Sequence, residues 1–123
     1  MTFIDYLETK IQSLYYTILN KKHLFGKASK TLNCNSFKVI IEEIKIVIND
    51  GLIKGFDVIK ITNNIIFNLL ICNFFVFENH EMAALIGYIY LKRQGVIVKN
   101  YSLNGLTNNS TLEQIKIITA SWL

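Results

Sequence analysis

The chain has no proline in 123 residues, a single arginine, two cysteines and one tryptophan. Each scarcity removes a possibility. Without proline there is no imino-acid helix stop and no proline-rich linker, so helices must end at other residues, glycine and asparagine first. One arginine, Arg93, stands against twelve lysines, so the net charge of +4 comes from a cation poorly suited to bidentate reading of bases or phosphates. Direct nucleic-acid binding is not expected. Cys34 and Cys72 are distant in sequence and share no ligand spacing with His23 or His80, so neither a metal site nor a disulfide framework is read from them. Reduced thiols in a cytoplasmic protein are the plain expectation. Long apolar runs are missing as well. The longest, residues 65–77, contains Asn68 and Asn73 and falls short of the roughly 20 residues that a membrane-spanning helix needs. Asp5 and Glu8 near the start do not fit the basic-then-apolar layout of a signal peptide. No membrane association is expected.

What the chain does have is apolar mass. Half of it is hydrophobic (51%), enough to fill one core in a single domain over residues 1–123. The spacing of that mass is helical. Phe3, Ile4, Leu7, Ile11, Leu14, Tyr15 and Ile18 form one stripe over about residues 2–19. Residues 20–35 read as a polar loop with Gly26. Its lysines, from Lys21 to Lys30, form either a solvated face or a surface for an acidic partner. Ser36 is placed to cap a second helix that buries Phe37, Ile40, Ile41, Ile44, Val47 and Ile48, with Asn49, Asp50 and Gly51 as its stop. A third helix, apolar nearly all round, runs from Phe56 or Val58 to Cys72, as expected of a central element. A fourth starts at Asn79 or His80 and stops at Gly95, with Lys92 and Arg93 complementing its dipole. Met82, Ala83, Ala84 and Gly87 give it a small-residue face for close packing on the third. Val96–Val98 reads as half of a small β-hairpin. Ser110 with Glu113 reads as a capping box for a last helix burying Leu112, Ile115, Ile118 and Trp122. The expected fold is all-α: a compact helical domain of five to six helices, with a short β-hairpin as an option.

The stretch from Asn73 to Glu81, followed by a helix ending at Gly95, carries the most specific pattern. It resembles the Fic/Doc (death-on-curing) family, whose signature runs His-x-Phe-x-Asp/Glu-Gly/Ala-Asn-Gly/Lys-Arg before a helix. Phe75 and Asn79 match the aromatic and the amide. Asn73 stands at the histidine, Phe77 at the acid, His80 at the Gly/Lys position and Glu81 at the arginine. The segments from Leu14 to Gly26, from Ser36 onward and from Tyr90 to Val98 are similar to the flanking helices of Doc-like proteins.

The resemblance implies a Fic/Doc-like fold in which the loop and the following helix start hold a nucleotide. In the family the histidine acts as general base, the acid holds a divalent metal, and the amide and arginine grip phosphates. At the replaced positions the chemistry does not transfer. Asn73 has no titratable group, and a general base is worth roughly 10²–10⁴ in rate. Phe77 cannot ligate a metal, and Glu81 puts a carboxylate where the family has a cation. The expectation is therefore a degenerate member with no catalytic residue and no metal ligand, acting by protein binding in a toxin–antitoxin context. Asn79 and His80 are the remaining nucleotide-binding candidates. The alternatives are an active ATP- and Mg²⁺-dependent transferase with His80 as substitute base, and an unrelated helical interaction module. An antitoxin-like peptide is the implied partner, and the apolar surface leaves room for a homo-oligomer.

Overall fold

Five helices account for the ordered secondary structure of the computed structural model, which describes residues 1–24 and 30–123. Gly26 and Lys27 of the expected polar loop lie outside the described residues. In chain order the helices are α1 (Phe3–Lys21), α2 (Phe37–Ile53), α3 (Val58–Cys72), α4 (Asn79–Arg93) and α5 (Leu112–Trp122). The fold is all-α, as the periodicity indicated. No strand forms among the described residues; a single antiparallel bridge joins Leu32 to Phe75.

The apolar all-round helix is central. α3 packs against α2, α4 and α5, while α1 closes the far side on α2 and α4. Ile61, Ile65, Ile66, Leu69 and Leu70 of α3 are buried among Leu7, Ile11, Tyr15 and Leu19 of α1, Ile40 and Ile44 of α2, and Trp122 of α5. Ile4 and Leu14 sit half-buried at the margins of the α1 stripe. Where α4 meets α3 the small-residue face is required: a Cβ on Gly87 would lie 2.6 Å from Ile66 Cγ1. Gly51 meets the same constraint from the other side, 2.7 Å from Ile61 Cγ1.

That contact corrects one expected boundary. α2 does not stop at Gly51 but runs through it to Ile53, because Gly51 is there to let α3 approach. The left-handed stop comes later, at Gly55, with φ +74°. Gly95 does end α4, with φ +84° and Val96 N donating back to Leu91 O at 3.1 Å. The expected hairpin at Val96–Val98 is not formed. The chain there runs to the end of α5 instead, where Lys99 N and Asn100 N both donate to Trp122 O.

Two caps also differ from expectation. The box at α5 is Thr111 with Gln114, one residue along from Ser110 and Glu113. Both pairs fit the motif, but Ser110 is buried and its hydroxyl accepts from Thr107 N at 2.9 Å, closing the preceding turn. Ser36 occupies the N-cap of α2 without making a side-chain capping bond. No described helix is long and apolar enough to cross a membrane.

Candidate functional site at the start of α4

The loop from Asn73 to Glu78 connects two helices that pack tightly, so it must reverse direction in a few residues. It does so by placing Asn73 (φ +50°) and Glu78 (φ +56°) in the left-handed region, at the end of α3 and the N-cap of α4. Non-glycine residues there are uncommon, and asparagine tolerates the conformation best. Between them, Phe75 is wholly buried, its ring 4.7 Å from that of Tyr15.

Three partners hold the loop. Asn33 N donates to Phe74 O and Val76 N to Thr31 O, at 2.8 and 2.9 Å, which makes the bridge with the 31–33 segment. Asn33 Nδ2 donates to Asn73 O at 2.8 Å. The Tyr15 hydroxyl accepts from Phe77 N (3.1 Å) and shares its proton between Phe77 O (3.0 Å) and Thr31 O (3.1 Å). Burial, partly offset by the Phe77 bond, pushes the Tyr15 phenol above its ordinary value.

Asn79 opens α4 as its first helical residue, so it is not the N-cap that its side chain would suit. The amide instead turns into the protein and is 2% exposed. Its Oδ1 accepts from Phe75 N at 3.3 Å, and its Nδ2 donates to Leu69 O at 3.2 Å and to Asn108 Oδ1 at 3.1 Å. One side chain thus ties the end of α3, the loop, the start of α4 and the segment before α5. Asn73, by contrast, is exposed, and Asn68 Nδ2 donates to Glu43 Oε1 on α2.

The charged part of the site sits just outside this knot. Lys22, one residue past the end of α1, places its Nζ 2.9 Å from Glu78 Oε2 and 2.8 Å from Glu81 Oε2. The two carboxylates therefore converge on one ammonium. Glu81 Oε2 is sealed from solvent and has no aligned hydrogen bond, so the Lys22 charge is what compensates it. Glu81 first, then Glu78, raises the Lys22 pKa, because both carboxylates favour the charged ammonium. Tyr101, its ring tilted against those of Tyr88 and Trp122, is held neutral well above the usual phenol range, by burial first and the Glu81 charge second. His80 is half-buried, and among the described residues its side chain makes no hydrogen bond or ion pair.

These contacts fix what the arrangement can do. Two carboxylates and one ammonium leave a net negative charge in the first turn of a helix, the place where a phosphate would seek positive potential. A like charge at about 4 Å costs roughly 4 kcal/mol at an effective dielectric of 20. For a divalent metal the donor set does not fit: Phe77 offers no ligand, Glu78 and Glu81 are paired with Lys22, and no cluster of three or more His, Cys, Asp or Glu forms among the described residues. Sequence reading missed Lys22 and Tyr15 as parts of this site. Lys22 appeared there only within a lysine-rich loop, and nothing local marked its partners 56 and 59 residues away. No model of a known protein family matches the chain, and no characterised protein or solved structure matches it.

Proposed function

We propose that this protein is a degenerate Fic/Doc-like domain, cytoplasmic and of toxin–antitoxin type, that acts by binding another protein and does not transfer phosphate or nucleotide. The observation carrying the reading is the Lys22–Glu78–Glu81 triad. It fills the start of α4 with the chain's own ion pairs, at the motif positions where the family would grip a nucleotide. Asn79, the retained motif amide, commits both its amide protons and one lone pair of its oxygen inside the protein. Asn73 and Phe77 offer neither a base nor a metal ligand.

The test is transfer from labelled ATP with magnesium or manganese in a bacterial lysate. Wild type runs beside an Asn73→His, Phe77→Asp, Glu81→Arg triple variant. No labelling by wild type and detectable labelling by the triple variant is the expected result. Labelling by wild type that His80→Ala abolishes would overturn the proposal and establish a rearranged active site. A parallel thermal melt with ATP and magnesium should show no shift; saturation at 100 times a dissociation constant would add about 2.7 kcal/mol.

A further inference from the structure

The segment between α4 and α5 contains the only Asn-Gly pair of the sequence, Asn104-Gly105. We propose that Asn104 is a site of spontaneous, non-enzymatic deamidation, and that its isoaspartate product loosens the strap that residues 101–106 form over α5.

The chemistry needs an asparagine side chain that solvent can reach, a following residue without a side chain, and a following backbone nitrogen that is free to attack. All three are met. Asn104 and Gly105 are both exposed. They are the central residues of a turn closed by Leu106 N donating to Leu103 O at 3.0 Å, with Gly105 at φ +85°, as position i+2 of a type II turn requires. Among the described residues Gly105 N donates no hydrogen bond. The nitrogen loses its proton to solvent base and attacks Asn104 Cγ. A C–N bond forms, the bond to the side-chain nitrogen breaks, and ammonia leaves. Water then opens the five-membered imide at either carbonyl, giving aspartate or isoaspartate. No oxidant or other co-reactant is consumed.

Of the other glycine- and serine-flanked pairs, Asn35-Ser36 is also exposed, but its attacking nitrogen belongs to a residue with a side chain, which slows imide closure; the rest are protected. Asp50-Gly51, which would react through the same imide, lies inside α2, where Gly51 is buried. At Asn109-Ser110 the Ser110 nitrogen donates to Thr107 O at 3.1 Å. Asn79 is buried at the start of α4, with its amide triply bonded.

The consequence follows from what the turn anchors. Leu106, 6% exposed, is a core residue; Ser102 O ties the segment to α5 by accepting from Trp122 Nε1 at 2.9 Å, and Ser102 Oγ braces the turn by accepting from Asn104 N at 3.1 Å. Isoaspartate routes the main chain through the side-chain methylene. The added backbone atom cannot keep both the 103–106 bond and these two anchors. Aspartate, by contrast, keeps the backbone and adds only a negative charge.

The full-length protein is aged at neutral to mildly alkaline pH and sampled by peptide mapping, isoaspartate-specific enzymatic methylation and thermal melting. Acid forms are expected first at Asn104, isoaspartate predominating, with the melting temperature falling in step. Asn104→Gln should lose this phase. Asn104→Asp should melt like fresh wild type, which assigns the loss to the lengthened backbone rather than to the charge. Appearance of acid forms elsewhere ahead of Asn104, or equal ageing of Asn104→Gln, would overturn the site. Abundant isoaspartate with an unchanged melt would overturn the loosening.

Discussion

Replacing Asn79 by aspartate changes one amide nitrogen to oxygen, with almost no change in volume, and should nonetheless cost about as much stability as deleting the side chain. In the native fold Oδ1 accepts from Phe75 N, and aspartate keeps that bond. The nitrogen donates to Leu69 O and to Asn108 Oδ1, 3.2 and 3.1 Å away. A carboxylate oxygen there faces two acceptors. Asn108 is exposed and can rotate its amide to donate instead, but the Leu69 carbonyl is fixed by the helix and already accepts from Asn73 N at 3.0 Å. The remaining penalty is a buried charge against a carbonyl, on the order of 2–4 kcal/mol.

For Asn79→Ala the losses are different but similar in size. Phe75 N, buried beside its ring, is left without an acceptor at about 1–3 kcal/mol, and the weaker net bonds and a small void bring the total to roughly 2–4 kcal/mol. Either loss is a large part of the 5–15 kcal/mol that stabilises a typical domain. Urea unfolding followed by circular dichroism measures both. The aspartate variant should also recover on acidification, because a protonated carboxyl can donate to Leu69 O. The burial raises its folded-state pKa above the unfolded value near 4, so its deficit shrinks as pH falls through that range. A deficit below about 0.5 kcal/mol for both variants would refute the assignment of Asn79 as a structural tie. An aspartate variant no less stable than wild type at neutral pH would refute the hydrogen-bond orientation.

Leu91, fully buried where α4 ends, should lose about 2–5 kcal/mol as alanine, whereas half-buried Leu85 should lose clearly less; chemical denaturation of the two variants checks the rotation of α4. Lys22→Met should destabilise by about 1 kcal/mol or less, since its side chain is 41% exposed, and more at low salt than at high; an effect independent of salt would refute the ion-pair account. Alkaline titration should lower the melting temperature progressively above pH 10. Tyr15, Tyr90 and Tyr101 are all held neutral by burial in the fold but ionise near 10 when unfolded, so their stabilising contribution is full below that pH and disappears above it. A melting temperature flat to strongly alkaline pH, or phenolate absorbance from more than three of the six tyrosines before unfolding, would refute the burial of these phenols.

The helices were legible because their cause is local. The α1 stripe at Phe3, Leu7, Ile11 and Tyr15, the all-round apolar α3 and the glycine stop at Gly95 each rest on residues within a few turns of one another. Misreadings arose where a local signal competed with a distant contact. Asn49-Asp50-Gly51 has the composition of a helix stop, but the space that Ile61 needs accounts for Gly51 without a stop. Ser110 and Thr111 each head a valid capping box, and the choice falls to Thr111 because Ser110 is drawn into the turn at Thr107. Val96–Val98 has strand composition, but no strand forms among the described residues to pair with it, and the residues that follow meet the Trp122 carbonyl at the end of α5 instead.

At the candidate site, little was legible beyond residue type. That Asn73 and Phe77 lack a base and a metal ligand follows from residue type alone, and the fold does not alter it. Glu81 is different, because a lone carboxylate at a helix start reads simply as a charge favoured by the dipole. Lys22 turns it into one corner of a closed triad that also pins Glu78. An anion arriving at α4 would therefore have to displace Lys22 from two carboxylates and then face both of them. A cationic side chain from a partner would meet the same difficulty in reverse, since Lys22 already holds the position where the carboxylates converge. What the triad leaves accessible is the neighbouring imidazole of His80, unpartnered among the described residues, and the exposed backbone turn at Asn73.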